Sequence, residues 1–580
     1  MRVPTWLRIT AALWAAVFLF IVLTLPPATR ELAEGLPAPY TRRGAFHVHT
    51  VASDGGGTRE DVARAAARAG LDFVILTDHG DGTAEPAAPE YLHGVLVIDG
   101  VEVTTSAGHY ATFGASRSPY PLGGPAYAVV EDIARLGGFG VAAHPDSAKA
   151  DLRWRDWTAR INGLEWINGD SAWRDERPMT LARGILDYLF RPGPALAALV
   201  DRPSRLLQRM DDLSRTRHIV GLAAADAHAR LPLTDDSEPY ESRWTVPAPS
   251  YEQSFKTFVN LVHVSRPASG DARRDAASIG EAIRAGNVAF AMTALAAPAA
   301  LHFSVQARFP GRGSIGVYPM GSLVPAAPEM IFEARTPDVV ESGRSLVRLT
   351  LLRDGRVAAT AEGPVLSHRV EDARGIWRIE GTLATWPDVP WLLSNPIKVN
   401  ADAYTVPGQP GDSSAPAPDP VNSLELTAGQ WAIEHHPESV GSIAPADGGQ
   451  VFSYRLAGGA PAGQYAAAVR ATGSTQAWDS LVLTARAAAP VRVWIQLRLS
   501  DSRTGQRWGH SVYLDDQSRT VRIPIRDFAP LEPRPSVSRP NVVQVRQVLI
   551  VVDTVNTAPG GAGRITLEGL RLVGSRPANQ

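Results

Sequence analysis

Phe46-His47-Val48-His49-Thr50-Val51-Ala52-Ser53-Asp54-Gly55 places three metal-ligand side chains within one short stretch at the end of a strand-like run. Gly44 to Thr50 reads as a strand. Alternate side chains of a strand share a face, so His47 and His49 point the same way, with Asp54 following beyond a turn. Two histidines so spaced also suit an ordinary surface or core, and four later stretches weigh against that. They are Thr77-Asp78-His79, Glu102 with Gly108-His109-Tyr110, Ala143-His144-Pro145, and Asp226-Ala227-His228. Each closes an apolar run: Phe73 to Thr77, Val95 to Asp99, Phe139 to Ala143, Ile219 to Ala225. Several strands delivering ligands from their carboxyl ends is how a (β/α) barrel builds an active site.

Together these residues resemble the PHP (polymerase and histidinol phosphatase) superfamily of metal-dependent hydrolases, whose HxHTxxSDG, TDH, strand-end Glu, later HP and final DxH occur here in that order over about residues 44–292. The resemblance implies an α/β, distorted (β/α) barrel and two to three divalent transition-metal ions. It implies His47, His49, Glu102 and Asp226 around one ion, Glu102, His109 and His144 around a second, and Asp54, His79 and His228 around a third. Glu102 and Asp226 head the candidate catalytic set. Asp78, beside His79, joins it as an orienting residue rather than as the general acid. Arg230, and Lys149 beside another ligand, are candidates for charge recognition, against solvated surface as the competing reading.

With 57 basic and 59 acidic residues the net charge is -2, so the chain lacks the basic surplus that gripping a polyanion requires, and nucleic acid is not an expected partner. The absence of cysteine excludes disulfides and thiolate metal sites. Imidazole and carboxylate ligands suit zinc, manganese or iron.

The 580 residues predict several domains. Residues 1–30 carry an apolar segment, Leu7 to Leu25, interrupted by Arg8, Thr10 and Thr24 and just long enough as a helix to cross a bilayer. It reads as a single-pass anchor holding the catalytic domain outside the cytoplasmic membrane, in the periplasm; secretion after signal cleavage is the alternative. The barrel is expected over 40–300. Thr58 and Asp61 there suggest a capping box opening an alanine-rich helix, and Ala126–Arg135 and 278–285 read as further helices. A helical insertion over about 172–217, broken at Pro192, Pro194 and Pro203, is placed to flank the mouth. Asn168 and Asp170 end another strand and read either as substrate contacts or as loop structure.

From 301 to 402 the pattern becomes strands alone, with Asp354-Gly355 as a type I′-like hairpin turn, and reads as an immunoglobulin-like sandwich. Its Trp391 to Ile397 segment resembles the tail of PHP hydrolases related to carbaryl hydrolases. Residues 403–423, rich in Pro, Gly, Ala and Ser, read as a linker. Residues 424–576 resemble a galactose-binding-like jelly roll, a fold that often binds glycans; Trp431, Trp478 and Trp508 are either its stacking residues or its core. The expected function is hydrolysis of a small phosphate ester by a metal-bridged hydroxide. A carboxylic ester or carbamate hydrolase is the alternative, and a non-catalytic, membrane-anchored glycan-binding protein is the second.

Overall fold

The computed structural model describes residues 5–32, 40–174, 176–232, 244–297, 299–309, 315–400, 422–459, 463–473, 478–531 and 539–574. The linker expected over 403–423 lies outside them except for its last two residues. Two compact units form. One comprises Met1–Gly80, Pro86–Ser116 and Ile133–Gln409, the other Asp81–Glu85, Arg117–Asp132 and Pro410–Gln580.

Strands β1 (Thr41–Val48), β2 (Phe73–Leu76), β3 (Val95–Thr105), β4 (Gly108–Phe113), β5 (Phe139–Ala142), β6 (Gly163–Asn168) and β7 (Val220–Ala227) pair in that order in the first unit. β7 then returns to β1, with Phe46 opposite Ala224 and Val48 opposite Ala227, and closes a ring. All pairings are parallel except those of β4, which is antiparallel to both neighbours. The near-continuous apolar runs of the parallel strands follow from burial on both faces. Phe46, Ile75, Leu96, Val141, Leu222 and Ala224 join one buried cluster with Ile279 and Ile283 of the helix Ala272–Arg284.

Thr58 caps the helix Arg59–Arg68, and the reciprocal bond from Asp61 completes the capping box. The insertion forms the helices Pro178–Phe190, Pro192–Ala197 and Ser204–Ser214, with Pro192 opening the second and Pro203 preceding the third. Of the described strands between 301 and 400, four form one sheet, Val340–Glu341 pairs with Arg344–Ser345, and the others join the sheet of the ring, because Leu392–Ser394 pairs with Val288–Ala291. Asp354 and Gly355 both have positive φ, as a type I′ turn requires.

The apolar segment near the amino terminus forms the helix Thr5–Thr24. The membrane-spanning helix expected there is not found: among the described residues no helix is long and apolar enough to cross a membrane. Arg8, Thr10 and Thr24 shorten the apolar run from both ends, and the two threonine hydroxyls turn back to the Trp6 and Phe20 carbonyls.

Among the described residues, the second unit contains two six-stranded sheets. Trp478 and Trp508 are buried in its core, and Trp431, partly buried, packs against it. Arg492 is buried and donates to Asp132 at 2.6 Å and to Glu131 at 2.6 Å.

Candidate metal centre

The carboxyl ends of β1, β2, β5 and β7 converge, and because β4 runs antiparallel its first residues lie at the same end. The stretch Thr50 to Gly57 is folded so that Gly55 donates to the Thr50 carbonyl at 2.9 Å. A Cβ on Gly55 would come within 2.4 Å of the His49 carbonyl oxygen, so only glycine fits that turn. Tyr251 pins the loop from the other side by donating to the His49 carbonyl at 2.8 Å.

Asp78 is committed to the same loop. It accepts from the Thr50 amide at 2.7 Å, the Thr50 hydroxyl at 2.8 Å and the Ser53 hydroxyl at 2.6 Å. It therefore fixes the segment carrying His49 and Asp54, and none of these three bonds involves its neighbour His79.

Glu102 lies on β3 beyond the body of the ring and is surrounded by imidazoles. Its Oε1 is 2.9 Å from His109 Nδ1 and 3.0 Å from His144 Nε2; its Oε2 is 3.1 Å from His47 Nε2, 3.3 Å from His49 Nε2 and 3.4 Å from His79 Nδ1. Asp226 Oδ1 lies 3.6 Å from His47 Nε2 and 3.5 Å from His49 Nε2. Asp54 meets His228 Nε2 at 3.2 Å, His49 Nδ1 at 3.3 Å and His79 Nε2 at 3.6 Å. The residues singled out as ligands in the sequence are thus brought together, His109 included. Arg230 follows in a half-buried loop, and Lys149 is exposed. Asp170 pairs with Arg174 at 2.6 Å, and Asn168 turns inward to the Asp226 carboxylate at 2.9 Å.

Among the described residues, four overlapping triads have ligand atoms within 4.8 Å of one another: His47, Glu102 and His144; His47, His49 and Asp226; His49, Asp54 and His228; His49, His79 and Glu102. Donors sharing one cation at about 2.1 Å stand roughly 3–3.5 Å apart in tetrahedral geometry, close to the spacings above. His49 Nε2 is buried without a hydrogen-bond partner although two carboxylates flank it. Such a donor set fits divalent cations.

The electrostatics agree. Burial alone would push the Glu102 carboxyl up, but His47, His109 and His144 hold it well below the usual range. Burial would likewise push the Asp226 carboxyl up, but His47, His49 and His228 hold it well below its usual range. Burial would lower His47, yet Asp226, Glu102 and Glu165 hold it well above 6.5. His228, despite burial, is raised to about 10 by Asp54 and Asp226. In the metal-free protein these imidazoles keep protons that the unfolded chain releases near 6.5. The stability so gained is fully present below about 6.5 and is lost as pH rises through about 10 for His228. A cation needs the lone pair, so loading displaces the protons. Metal uptake at pH 7 is expected to release protons and to tighten as pH rises from about 6 to 9; an unbuffered titration reads this, and uptake without proton release would contradict it.

Sequence reading passed over Glu165. It is fully buried on β6 and bonds His47 Nδ1 at 2.5 Å and the His144 amide at 2.6 Å. The only signal available was a carboxylate inside an apolar run, where burial demands partners.

Away from this cluster, a cavity of about 360 Å³ at the amino ends of β5 and β7 is lined by Arg217, His218, Arg284 and Lys398. Arg284 donates to the Gly137 and Gly138 carbonyls and Lys398 to Arg215 at the end of the helix Ser204–Ser214. Cations at helix carboxyl ends are favourable there, which accounts for the basic lining.

No family model matches the chain, and no curated protein matches it. Among solved structures, a two-domain protein of Bacteroides vulgatus containing a predicted PHP-like metal-dependent phosphoesterase aligns over 64% of this chain and 99% of its own, at 14% identity and a TM-score of 0.28. A family 11 carbohydrate-binding module of Clostridium thermocellum, in complex with a β-1,3-1,4-mixed-linked tetrasaccharide, aligns over 26% of this chain and 95% of its own, at 16% identity and a TM-score of 0.21. Scores of this size do not establish a common fold, and the site stands on its own geometry.

Proposed function

We propose that the chain is a metal-dependent hydrolase acting on a small phosphate ester. One observation carries the reading: a single buried carboxylate, Glu102, lies within 3.4 Å of five imidazoles and belongs to two of the four triads. His47, His49, Asp54, His79, Glu102, His109, His144, Asp226 and His228 would hold two to three divalent ions of zinc, manganese or iron. Such ions lower the pKa of coordinated water towards neutrality and polarise an ester oxygen. The protein's part is to fix the donors in place. Glu102 and Asp226 stay ionised, Asp78 holds the ligand loop rigid, and β3 and β4 present Glu102 and His109 to one another. The purified chain is expected to carry two to three such ions and to cleave phosphomonoesters or cyclic nucleotides in a panel that also contains aryl carboxylic esters and carbamates. Less than one ion after ample supply would sink the centre. Cleavage confined to the carboxylic esters or carbamates would favour the carbaryl-hydrolase-like branch instead.

We also read the helix Thr5–Thr24 as a membrane contact that keeps the catalytic unit on the extracytoplasmic side. Leu13, Trp14, Phe18, Leu19, Phe20 and Leu23 are exposed on it. Arg183 donates to the Thr24 carbonyl at 2.7 Å from the helix Pro178–Phe190, which itself exposes Met179, Ile185 and Leu189. Two adjoining helices whose apolar side chains are exposed among the described residues suit lipid. Since the chain has no cysteine, Leu13→Cys gives a single labelling site. A dye there, in protein reconstituted into lipid nanodiscs, should be quenched by lipid-borne nitroxide and shielded from iodide; the reverse pattern would remove the contact.

A further inference from the structure

Three residues of the cluster, His47, His144 and Asp226, have positive φ, at 63°, 31° and 45°. Non-glycine residues adopt that conformation only where their surroundings impose it. All three are bonded to one pair of side chains on β6. Glu165 Oε1 accepts from His47 Nδ1 at 2.5 Å, and its Oε2 accepts from the His144 backbone N–H at 2.6 Å and from Asn168 Nδ2 at 2.8 Å. The second hydrogen of the Asn168 amide goes to Asp226 Oδ2 at 2.9 Å, while its oxygen accepts from the Ser171 amide at 2.8 Å. The orientation of the amide is therefore fixed by its partners.

We propose that Glu165 and Asn168 are the positioning residues of the metal centre, a buried clamp that ties together the ligands of β1, β5 and β7. This rests on the metal-centre reading. With Nδ1 donating to Glu165, His47 presents the lone pair of Nε2, the nitrogen 3.1 Å from Glu102 and 3.6 Å from Asp226. The same carboxylate anchors the backbone from which His144 projects, and Asn168 sets the rotation of the Asp226 carboxylate. Neither residue approaches the centre as a donor; each acts through a ligand.

The test is metal affinity of the full chain, measured by competition with a chromophoric chelator for Zn²⁺ or Mn²⁺. Glu165→Gln keeps the volume but offers one acceptor oxygen to three donors, so it cannot satisfy them all. It is expected to weaken binding by about 10- to 100-fold, and Asn168→Ala by a smaller factor. Glu380→Gln is the control: a buried carboxylate of the same unit, paired with Arg202 and Arg378 and not with any ligand. It is expected to lower the midpoint of urea unfolding and leave the affinity unchanged. Folded Glu165→Gln protein binding within about threefold of wild type overturns the clamp. Should that variant fail to fold, Asn168→Ala decides alone, and wild-type affinity there overturns it. A wild-type chain that takes up no ion overturns the metal-centre reading and the clamp with it.

Discussion

Replacing Glu102 by Gln is expected to lower turnover by at least about 10³-fold while circular dichroism stays unchanged. Glu102 is 1% exposed and its two oxygens meet five ring nitrogens. The amide is nearly isosteric, so the packing around β3 has no cause to move. It is neutral, however, and its nitrogen is a poor ligand, so the charge balancing two of the triads disappears and one oxygen's contacts become donor against cation. Removing one stabilising group at a reacting centre typically costs 10²- to 10³-fold, and a group shared by two triads should lie at or beyond the upper end. Metal content measured on the same sample should fall as well. If Glu102 merely satisfied neighbouring histidines, the folded variant would retain near wild-type turnover and full metal, and that result would remove it from the site.

Arg378→Met is expected to destabilise the first unit by about 3–5 kcal/mol. Arg378 is buried on the strand Gly375–Leu383 and donates to Asp211 of the helix Ser204–Ser214 at 3.1 and 3.2 Å, and also to Glu380, which Arg202 holds at 2.7 Å. Burial would lower the Arg378 guanidinium, yet Asp211 and Glu380 keep it above its ordinary value. Methionine fills the space but leaves Asp211, 2% exposed, without its cation. Glu380 keeps Arg202. Burial already pushes the Asp211 carboxyl up, and without Arg378 it should rise further. The destabilisation should therefore shrink as pH falls and the acid takes a proton. The urea midpoint followed at pH 7 and pH 5 reads both effects; a pH-independent difference would mean that lost packing, not the stranded charge, is responsible.

The sequence made some of this legible and hid the rest for identifiable reasons. His47, His79 and His144 could be read because each follows an apolar run, so strand and ligand announce one another. The capping box at Thr58 and Asp61 and the Asp354-Gly355 turn are local, and local chemistry survives folding unchanged. The alternation argument for His47 and His49 was only partly right. The register slips between Phe46 and Val48 against β7, and His47 reaches the site with positive φ from that irregular stretch. A bulge of this kind is imposed by the neighbouring strand and leaves no local trace. His109 was named through the family resemblance, and it is the antiparallel course of β4, with Thr104 opposite it, that carries it back to Glu102. Glu165 was hidden by its own surroundings, Leu164, Trp166 and Ile167, which read as a plain buried strand. Nor did the sequence indicate that Arg117–Asp132 belongs with the second unit, since its partner Arg492 lies 360 residues further on.

The pairing of Val288–Ala291 with Leu392–Ser394 bears on how the molecule is made. Asn395 adds side-chain bonds to the Gly221 and Val288 backbones, at 2.9 and 2.8 Å to their carbonyls. During synthesis the strand Val288–Ala291 emerges well before its outer partner, and until that partner arrives it presents an open row of amides and carbonyls. Such an edge recruits any other strand within reach, including the same strand of a neighbouring nascent chain. The interval lasts for about a hundred residues of elongation, which at roughly 5–20 residues per second is on the order of 5–20 seconds. Aggregation of newly made chains should therefore depend on translation speed through this interval more than on the stability of the finished protein.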